Sequence, residues 1–342
     1  MVSWRNTSGE ENLVSNLRAG LVGVGMMGRN HARVLSTLEG VELVAVADPV
    51  AQAAVPTGVP RVDTLAELLA MGLDYVVVAA PTAQHSEVAK ECAAAGCHVL
   101  VEKPLTTDVV EARELRSVFD AAGLIGAVGH IERYNPALQQ AKRRLAEGDL
   151  GEVYQIITRR QGPFPGRIAD VGVILDLASH DFDLTSWVAD SPFTNVFART
   201  AHRSGRPHED LVAVTARLQN GTITNHLVNW VSPLKERVTV ITGEKGSFVA
   251  DTLTADLTYY ENGVVPTQWI EVARFRGVVE GDVTRFAFPK PEPLRVEHEM
   301  FRDAVLGRPA DIVTFEQGAR TVAVANACAL SARSGQAIDV EE

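Results

Sequence analysis

RAGLVGVGMMGRNHARVL, residues 18–35, decides the fold. It opens with an apolar run long enough for one strand and passes, from Met27 to Leu38, into apolar residues at helical spacing. Between the two lie Gly23, Gly25 and Gly28, in the pattern G-x-G-x-x-G. In such a strand–turn–helix unit Gly23 permits the tight turn, Gly25 lets a pyrophosphate approach the backbone, and Gly28 lets the helix pack on the strand. The first helical turn, with Met26 and Met27, offers its free N–H groups to the phosphates. Glycines also serve ordinary turns, so the spacing alone is weak. Its placement between a strand and a helix is what gives it weight.

Working outward, VELVAVAD (41–48), DYVVVAAP (74–81), HVLVEKP (98–104) and IGAVGH (125–130) are further Val-rich runs separated by helical stretches. Short apolar runs of this kind are parallel strands buried on both faces, with a ligand crevice at their carboxyl ends. Asp48 ends the second run, about 20 residues beyond the glycines. A carboxylate there accepts both ribose hydroxyls of an adenosine and repels a 2′-phosphate; no Arg follows immediately. NAD is therefore expected over NADP. A turn residue before Pro49 is the bland alternative. Pro81, Thr82 and His85 stand at a strand end and helix start, a place that suits either cofactor contact or helix capping. Glu102 and Lys103 close the run HVLVEKP at Pro104, which points the lysine into the crevice.

Composition narrows the class. The chain has 342 residues, 46% hydrophobic and 22% charged, with a net charge of -11. Two domains are expected at this length. No Lys/Arg-rich run is present, so neither nucleic acid nor a membrane surface is an expected partner. Cys92, Cys97 and Cys328 make no metal-binding or C-x-x-C pattern and read as buried thiols in a reducing compartment. No metal site is expected. The polar first 17 residues lack the apolar core of a signal peptide, and a cytoplasmic location is the expectation.

ILDLASHDFD, residues 174–183, places Asp176 and His180 one helical turn apart in an apolar setting. Histidine titrates near neutrality and suits proton transfer from an alcohol, with a carboxylate to orient it. A satisfied structural pair would look the same. GHIERYNP (129–136) supplies Arg133 and Tyr134 where the two domains should join. TRRQGPFPGRIADVG (158–172) gathers Arg159, Arg160, Phe164 and Arg167 around a Gly/Pro-rich loop. Arginines beside an aromatic suit a phosphorylated or nucleotide-linked ligand, although a solvated strand end would carry them too. In the second half, DLVAVTARLQNGTITNHLVNWV (210–231) reads as a hairpin turning at Asn220-Gly221, and ENG (261–263) as another turn. Two helices, near 293–306 and 315–333, close the chain.

Taken together, GVGMMGRNHARVL, AVADP, AAPTAQHSEVAKECAAAGCHVLVEKPLT, ILDLASHDFDL and FEQGARTVAVANACALSARSG resemble the Gfo/Idh/MocA family of NAD(P)-dependent oxidoreductases, in the family's order. The resemblance implies an N-terminal Rossmann domain and a C-terminal α/β domain with a large, mostly antiparallel open sheet, one face of which another subunit often covers. It implies that Lys103, Asp176 and His180 meet at the nicotinamide. GHIERYNP with GPFPGRIADVGVILDLASHD is similar to the subgroup of UDP-N-acetylglucosamine 3-dehydrogenase-like members, which oxidise the sugar C3 hydroxyl. Members acting on myo-inositol or free sugars, and non-catalytic NAD-binding regulators, are the alternatives. The expected division is an extension over 1–17, a dinucleotide-binding domain over 18–133 and a substrate-binding and oligomerisation domain over 134–342. A homo-oligomer, dimer or tetramer, is expected.

Overall fold

The computed structural model describes residues 16–50, 55–166, 171–263 and 279–341. Its first sheet holds β1 (Leu17–Val22), β2 (Val41–Ala47), β3 (Arg61–Val62), β4 (Tyr75–Val78), β5 (His98–Glu102) and β6 (Gly126–Gly129). All are parallel, in the order β3-β2-β1-β4-β5-β6. The order reverses beside β1, which opens a crevice at the carboxyl ends of β1 and β4. Helices α1 (Met26–Leu35), α2 (Leu65–Leu69), α3 (His85–Ala94) and α4 (Val109–Ala122) are the crossovers. Strands such as β4, YVVV, are buried at every position because helices lie on both faces. Cys92, Cys97 and Cys328 are free and buried, as expected.

Beyond the first sheet come α5 (Pro136–Ala146), β7 (Val153–Pro163), a single π-helical turn (Ile174–Ala178) and α6 (Ser179–Ala189). Asn135 accepts the Ala137 N–H, and Pro136 opens α5, a pairing already visible in the sequence. Next are β8 (Phe193–Ala201), β9 (Leu211–Leu218), β10 (Ile223–Asn229), β11 (Val231–Gly243), β12 (Gly246–Asp251), β13 (Asp256–Gly263) and β14 (Val279–Arg285). Helices α7 (Pro293–Val305) and α8 (Phe315–Ser334) follow, then β15 (Ile338–Asp339). The second sheet runs β14-β13-β12-β11-β7-β10-β9-β8-β15, with β7 and β10 parallel and every other neighbouring pair antiparallel. β9 and β10 form the hairpin expected at Asn220-Gly221. The expected turn at ENG is not one: residues 261–263 continue β13 past an irregularity near Tyr260, and the chain turns instead before Asp256.

One face of the second sheet packs on α5, α6 and α8; Ile156, Ile241, Phe248 and Leu257 are among the side chains buried there. The other face leaves Phe197, Ile223, Leu227, Tyr260 and Val283 exposed. The two domains are not cut cleanly at residue 133. Phe301 on α7 meets Tyr75 edge-on at 5.3 Å, and Phe315 on α8 meets Phe119 at 4.9 Å. Val313, Phe315, Ala319 and Val322 sit in the core of the first domain. The end of the chain thus completes the domain with which it begins.

Candidate active site

The glycine loop has a distinct geometry at each position. Gly23 has φ +85° and lies so close to β4 that a Cβ would stand 2.7 Å from the Ala79 carbonyl oxygen. A Cβ on Gly28 would stand 2.0 Å from the Gly23 carbonyl oxygen, so this residue lets α1 close on the turn. At Gly25 a Cβ would meet nothing within 4 Å. That residue caps α1 without any side-chain hydrogen bond, leaving the N–H groups of the first turn, at Met26 and Met27, to a ligand. The open approach in front of uncapped amides fits a dinucleotide pyrophosphate.

Asp48 is buried at the end of β2. Its Oδ2 accepts the Val24 N–H at 2.8 Å and its Oδ1 the Val50 N–H at 2.8 Å, which anchors the carboxylate at the end of β2 against the glycine loop. The pairing of β2 with β3 also brings Arg61 alongside, donating to the Asp48 carbonyl and pairing with Asp63 at 2.7 Å. Sequence reading saw no arginine here because Arg61 arrives through strand pairing rather than adjacency. Pro81 and Thr82 lie at the carboxyl end of β4, on the rim of the same crevice.

His85 needs a correction. Its two ring nitrogens face the Pro104 and Ala80 carbonyl oxygens, each at 2.9 Å, and the ring is buried. It ties the β4 exit to the turn after β5 and has no polar atom left for a cofactor. Glu102 is corrected likewise. Its Oε1 accepts from His31 at 2.8 Å and its Oε2 accepts the Lys103 N–H at 3.1 Å, so it supports the lysine from behind.

Lys103 extends from the end of β5 across the domain boundary. Its ammonium donates to the Asp176 carbonyl oxygen at 2.7 Å and to Asp176 Oδ1 at 2.9 Å. The carboxylate expected to orient His180 is therefore turned to the lysine. His180 follows one turn later, and its Nδ1 is enclosed with no hydrogen-bond partner among the described residues. Asp176 belongs to the π-helical turn rather than to a regular α-helix, and such turns recur at functional sites. Burial first, then the positive charges of Lys103, Arg160, His130 and Arg237, hold His180 well below the ordinary imidazole range. Neutral pH leaves the imidazole uncharged.

The residues expected to hold substrate are mostly spent on the protein itself. Strand alternation puts Arg159 on the outer sheet face, 51% exposed and paired with Glu236 at 2.7 Å. Arg160, one residue on, is 3% exposed on the inner face and bound to Asp181 at 3.1 Å and Glu132 at 2.9 Å. Burial opposes its charge, but those two carboxylates outweigh burial and raise its pKa. Arg133 forms a two-pronged pair with Asp183, at 2.6 and 2.7 Å, and donates to Gln317 at 3.0 Å. Tyr134 donates to the Asp311 carbonyl oxygen at 3.1 Å. Arg160, Arg133 and Tyr134 are thus struts, not substrate ligands. Phe164 packs on Trp230 at 5.4 Å and carries the Arg206 guanidinium over its ring. Arg167 lies outside the described residues.

Two residues join the site that sequence reading did not select. His130, at the carboxyl end of β6 beside Lys103, is buried, stands edge-on to His180 at 6.3 Å, and has an Nδ1 with no partner among the described residues. Its position at a strand end in IGAVGH was the available signal. Arg237 on β11 pairs with Glu132 at 3.4 Å and keeps 35% of its side chain exposed. No local sequence feature marked it, because only the β7–β11 register sets it opposite Arg160.

A Rossmann sheet with an uncapped glycine loop, joined to a mixed sheet with Lys103, Asp176 and His180 at the seam, defines a two-domain dinucleotide-dependent protein. The family comparison agrees: residues 17–130 match the oxidoreductase family model with NAD-binding Rossmann fold, and residues 138–249 match the Gfo/Idh/MocA C-terminal domain. The chain belongs to the Gfo/Idh/MocA family, and its first domain is an NAD-binding Rossmann domain. It is 32% identical, over 61% of its length and 66% of the relative's, to UDP-N-acetylglucosamine 3-dehydrogenase of Acidithiobacillus ferrooxidans. It is 31% identical, over 53% of its length and 56% of the relative's, to scyllo-inositol 2-dehydrogenase (NAD(+)) of Bacillus subtilis. These alignments span less than two thirds of the curated relatives. The solved structure of the A. ferrooxidans enzyme superposes with TM-score 0.81 at 28% identity, covering 93% of this chain and 98% of that one. The WlbA dehydrogenase of Chromobacterium violaceum, in complex with NADH and UDP-GlcNAcA, gives TM-score 0.80 at 25% identity over 95% and 96% of the two chains.

Proposed function

We propose that the protein oxidises a secondary hydroxyl of a sugar with NAD, acting on C3 of a UDP-linked N-acetylhexosamine. The observation that carries the reaction type is the meeting of Lys103, Asp176 and an uncharged His180 at the carboxyl end of β5, on the same edge of the sheet as the glycine loop. Bound NAD supplies the hydride acceptor. His180 takes the hydroxyl proton, and Lys103 donates a hydrogen bond to the reacting oxygen while Asp176 holds the ammonium in place. A lysine base is the competing assignment for the same three residues. A regulator that only binds NAD has no use for this convergence.

The substrate reading rests on different support. The A. ferrooxidans relative is named for a UDP-sugar, and the WlbA structure contains one. With Arg160 and Arg133 spent, Arg237 is, among the described residues, a guanidinium beside the site that remains partly open to a diphosphate. The scyllo-inositol relative favours a second reading, a free cyclitol or sugar. A panel of UDP-sugars, free sugars and inositols, scored by NADH formation, separates them. UDP-N-acetylhexosamine is expected to give the highest kcat/KM, and better turnover of any free inositol or hexose overturns the assignment.

The exposed apolar residues on the outer sheet face support a homo-oligomer in which a second copy covers that face. The residues at its centre, Leu227 with Ile223, lie on β10 in the middle of the sheet. Among the described residues no helix is long and apolar enough to cross a membrane.

A further inference from the structure

Behind Lys103, on the side away from Asp176, lies a buried chain of ionisable groups that the proposed chemistry does not use. Glu102 Oε1 meets His31 Nε2 at 2.8 Å, and His31 Nδ1 meets His298 Nε2 at 2.8 Å. The two imidazoles stand edge-on, with centroids 5.0 Å apart. All three side chains are buried. They come from three distant parts of the chain: β5, α1 and α7. His298 Nδ1 and both carboxyl oxygens of its neighbour Glu297 have no hydrogen-bond partner among the described residues.

We propose that His298, acting through His31 and Glu102, is a positioning residue for Lys103. This rests on the dehydrogenase reading only in giving Lys103 its task.

The order of protons along the chain follows from its ends. Burial opposes ionisation of Glu102, but the hydrogen bond and charge of His31, with Lys103 and His85, outweigh it and hold the carboxyl below its ordinary range. An ionised Glu102 can only accept, so His31 donates from Nε2. His31 Nδ1, on the far side of the ring, is then left to accept from His298 Nε2–H, 2.8 Å away. Burial, then the charges of His31 and Arg295, hold His298 well below the ordinary imidazole range. Its Nδ1 stays bare, which its enclosed and unpartnered position tolerates better than a stranded N–H. Reversing any link would strand that N–H.

The other facing groups do not compete for these bonds. Burial, then the charge of Glu102, raises Glu297 well above the carboxylate range and leaves it a neutral acid. Tyr134, from the segment after β6, bonds to the Asp311 carbonyl oxygen instead. His130, at the β6 end, is also lowered by burial, before the charges around it.

The output of the relay is geometric. Glu102 Oε2 accepts the main-chain N–H of Lys103 at 3.1 Å, so the setting of this carboxylate fixes the backbone from which the lysine reaches Asp176. α7 packs on α1 and brings His298 with it. The relay therefore lets the end of the chain set the lysine at the end of β5.

The test compares the 342-residue chain with its His298→Leu and His298→Gln variants, the latter offering an amide N–H in place of Nε2–H. In ¹⁵N-labelled protein without substrate, His298 should carry its proton on Nε2, with His31 Nδ1 as the acceptor. His298→Leu should shift the Lys103 amide resonance, and His298→Gln should return it towards the parent's. With NAD and the sugar, His298→Leu should lower kcat by up to about 10²-fold, the scale of a reacting group misplaced from a distance. KM for NAD should stay unchanged, and His298→Gln should recover most of the loss. An unmoved Lys103 resonance, a proton on His298 Nδ1, or equal kcat losses in the Leu and Gln variants overturns the relay. If the parent turns over no sugar, the dehydrogenase reading fails while the resonance measurements still decide the relay.

Discussion

A methyl group added at Gly25 enters open space, whereas at Gly28 it would stand 2.0 Å from the Gly23 carbonyl oxygen. The two substitutions should therefore part company. Gly25→Ala should keep the parent's melting temperature and weaken NAD binding, because only the pyrophosphate needs the space. Gly28→Ala should lower both. Calorimetry with an NADH fluorescence titration checks the pair, and normal NAD affinity in Gly25→Ala would remove that residue from the cofactor path. Asp48 supports a second prediction. Arg61 already stands beside it, so Asp48→Ser should shift the kcat/KM ratio towards NADP without any added positive charge. Equal kcat/KM for NAD and NADP in the parent would contradict the role given to Asp48. The glycines and Asp48 were legible in the sequence because each serves a backbone position that local spacing specifies. His31, Glu102 and His298 were not legible as a unit, because three elements far apart in the chain bring them together.

Strand β7 shows what an element does to residues that look like neighbours. Arg159 and Arg160 are adjacent in sequence, yet the two-residue period of the strand sends one to the outer face and the other into a buried pair of carboxylates. Reading 158–172 as one arginine loop missed that alternation, since β7 runs on to Pro163. Arg133 teaches the same lesson on a helical turn. Arg133→Met leaves Asp183 buried without its partner, and should cost about 3–5 kcal/mol of stability with little change in KM for the sugar. A raised KM at unchanged stability would restore Arg133 to the substrate site. On β10, His226 lies between Thr158 and Thr224, and burial pushes it down to about 3. The unfolded chain takes up a proton at the ordinary imidazole value, so this stabilisation is complete above about pH 6.5. It is lost as pH falls towards 3, by up to about 1.4 kcal/mol per pH unit. Asp181, pushed up to about 6 by burial despite Arg160, works in the opposite direction below that pH. His226→Gln removes the histidine component alone. Melting temperature against pH should fall less steeply in acid for this variant, and an unchanged slope would refute the assignment.

At the scale of the whole molecule, the parallel first sheet and the open second sheet were both readable from periodicity and from the family motifs. The return of α7 and α8 into the first domain was not, because a helix's apolar stripe does not name its partner. That return matters for function: the seam holding Lys103, Asp176, His180 and His130 is closed by segments from both ends of the chain. The outer sheet face belongs to this scale too. Leu227→Glu with Ile223→Glu should shift the protein towards monomer in sedimentation velocity, and an unchanged mass would place the interface elsewhere. The central claim is that Lys103 and His180 carry out NAD-dependent oxidation rather than hold the fold. Its most direct test is to measure kcat together with NADH affinity for Lys103→Ala and His180→Ala. Each variant should bind NADH about as tightly as the parent and lose about 10²–10⁴-fold in kcat; near-parental kcat in both would contradict the account.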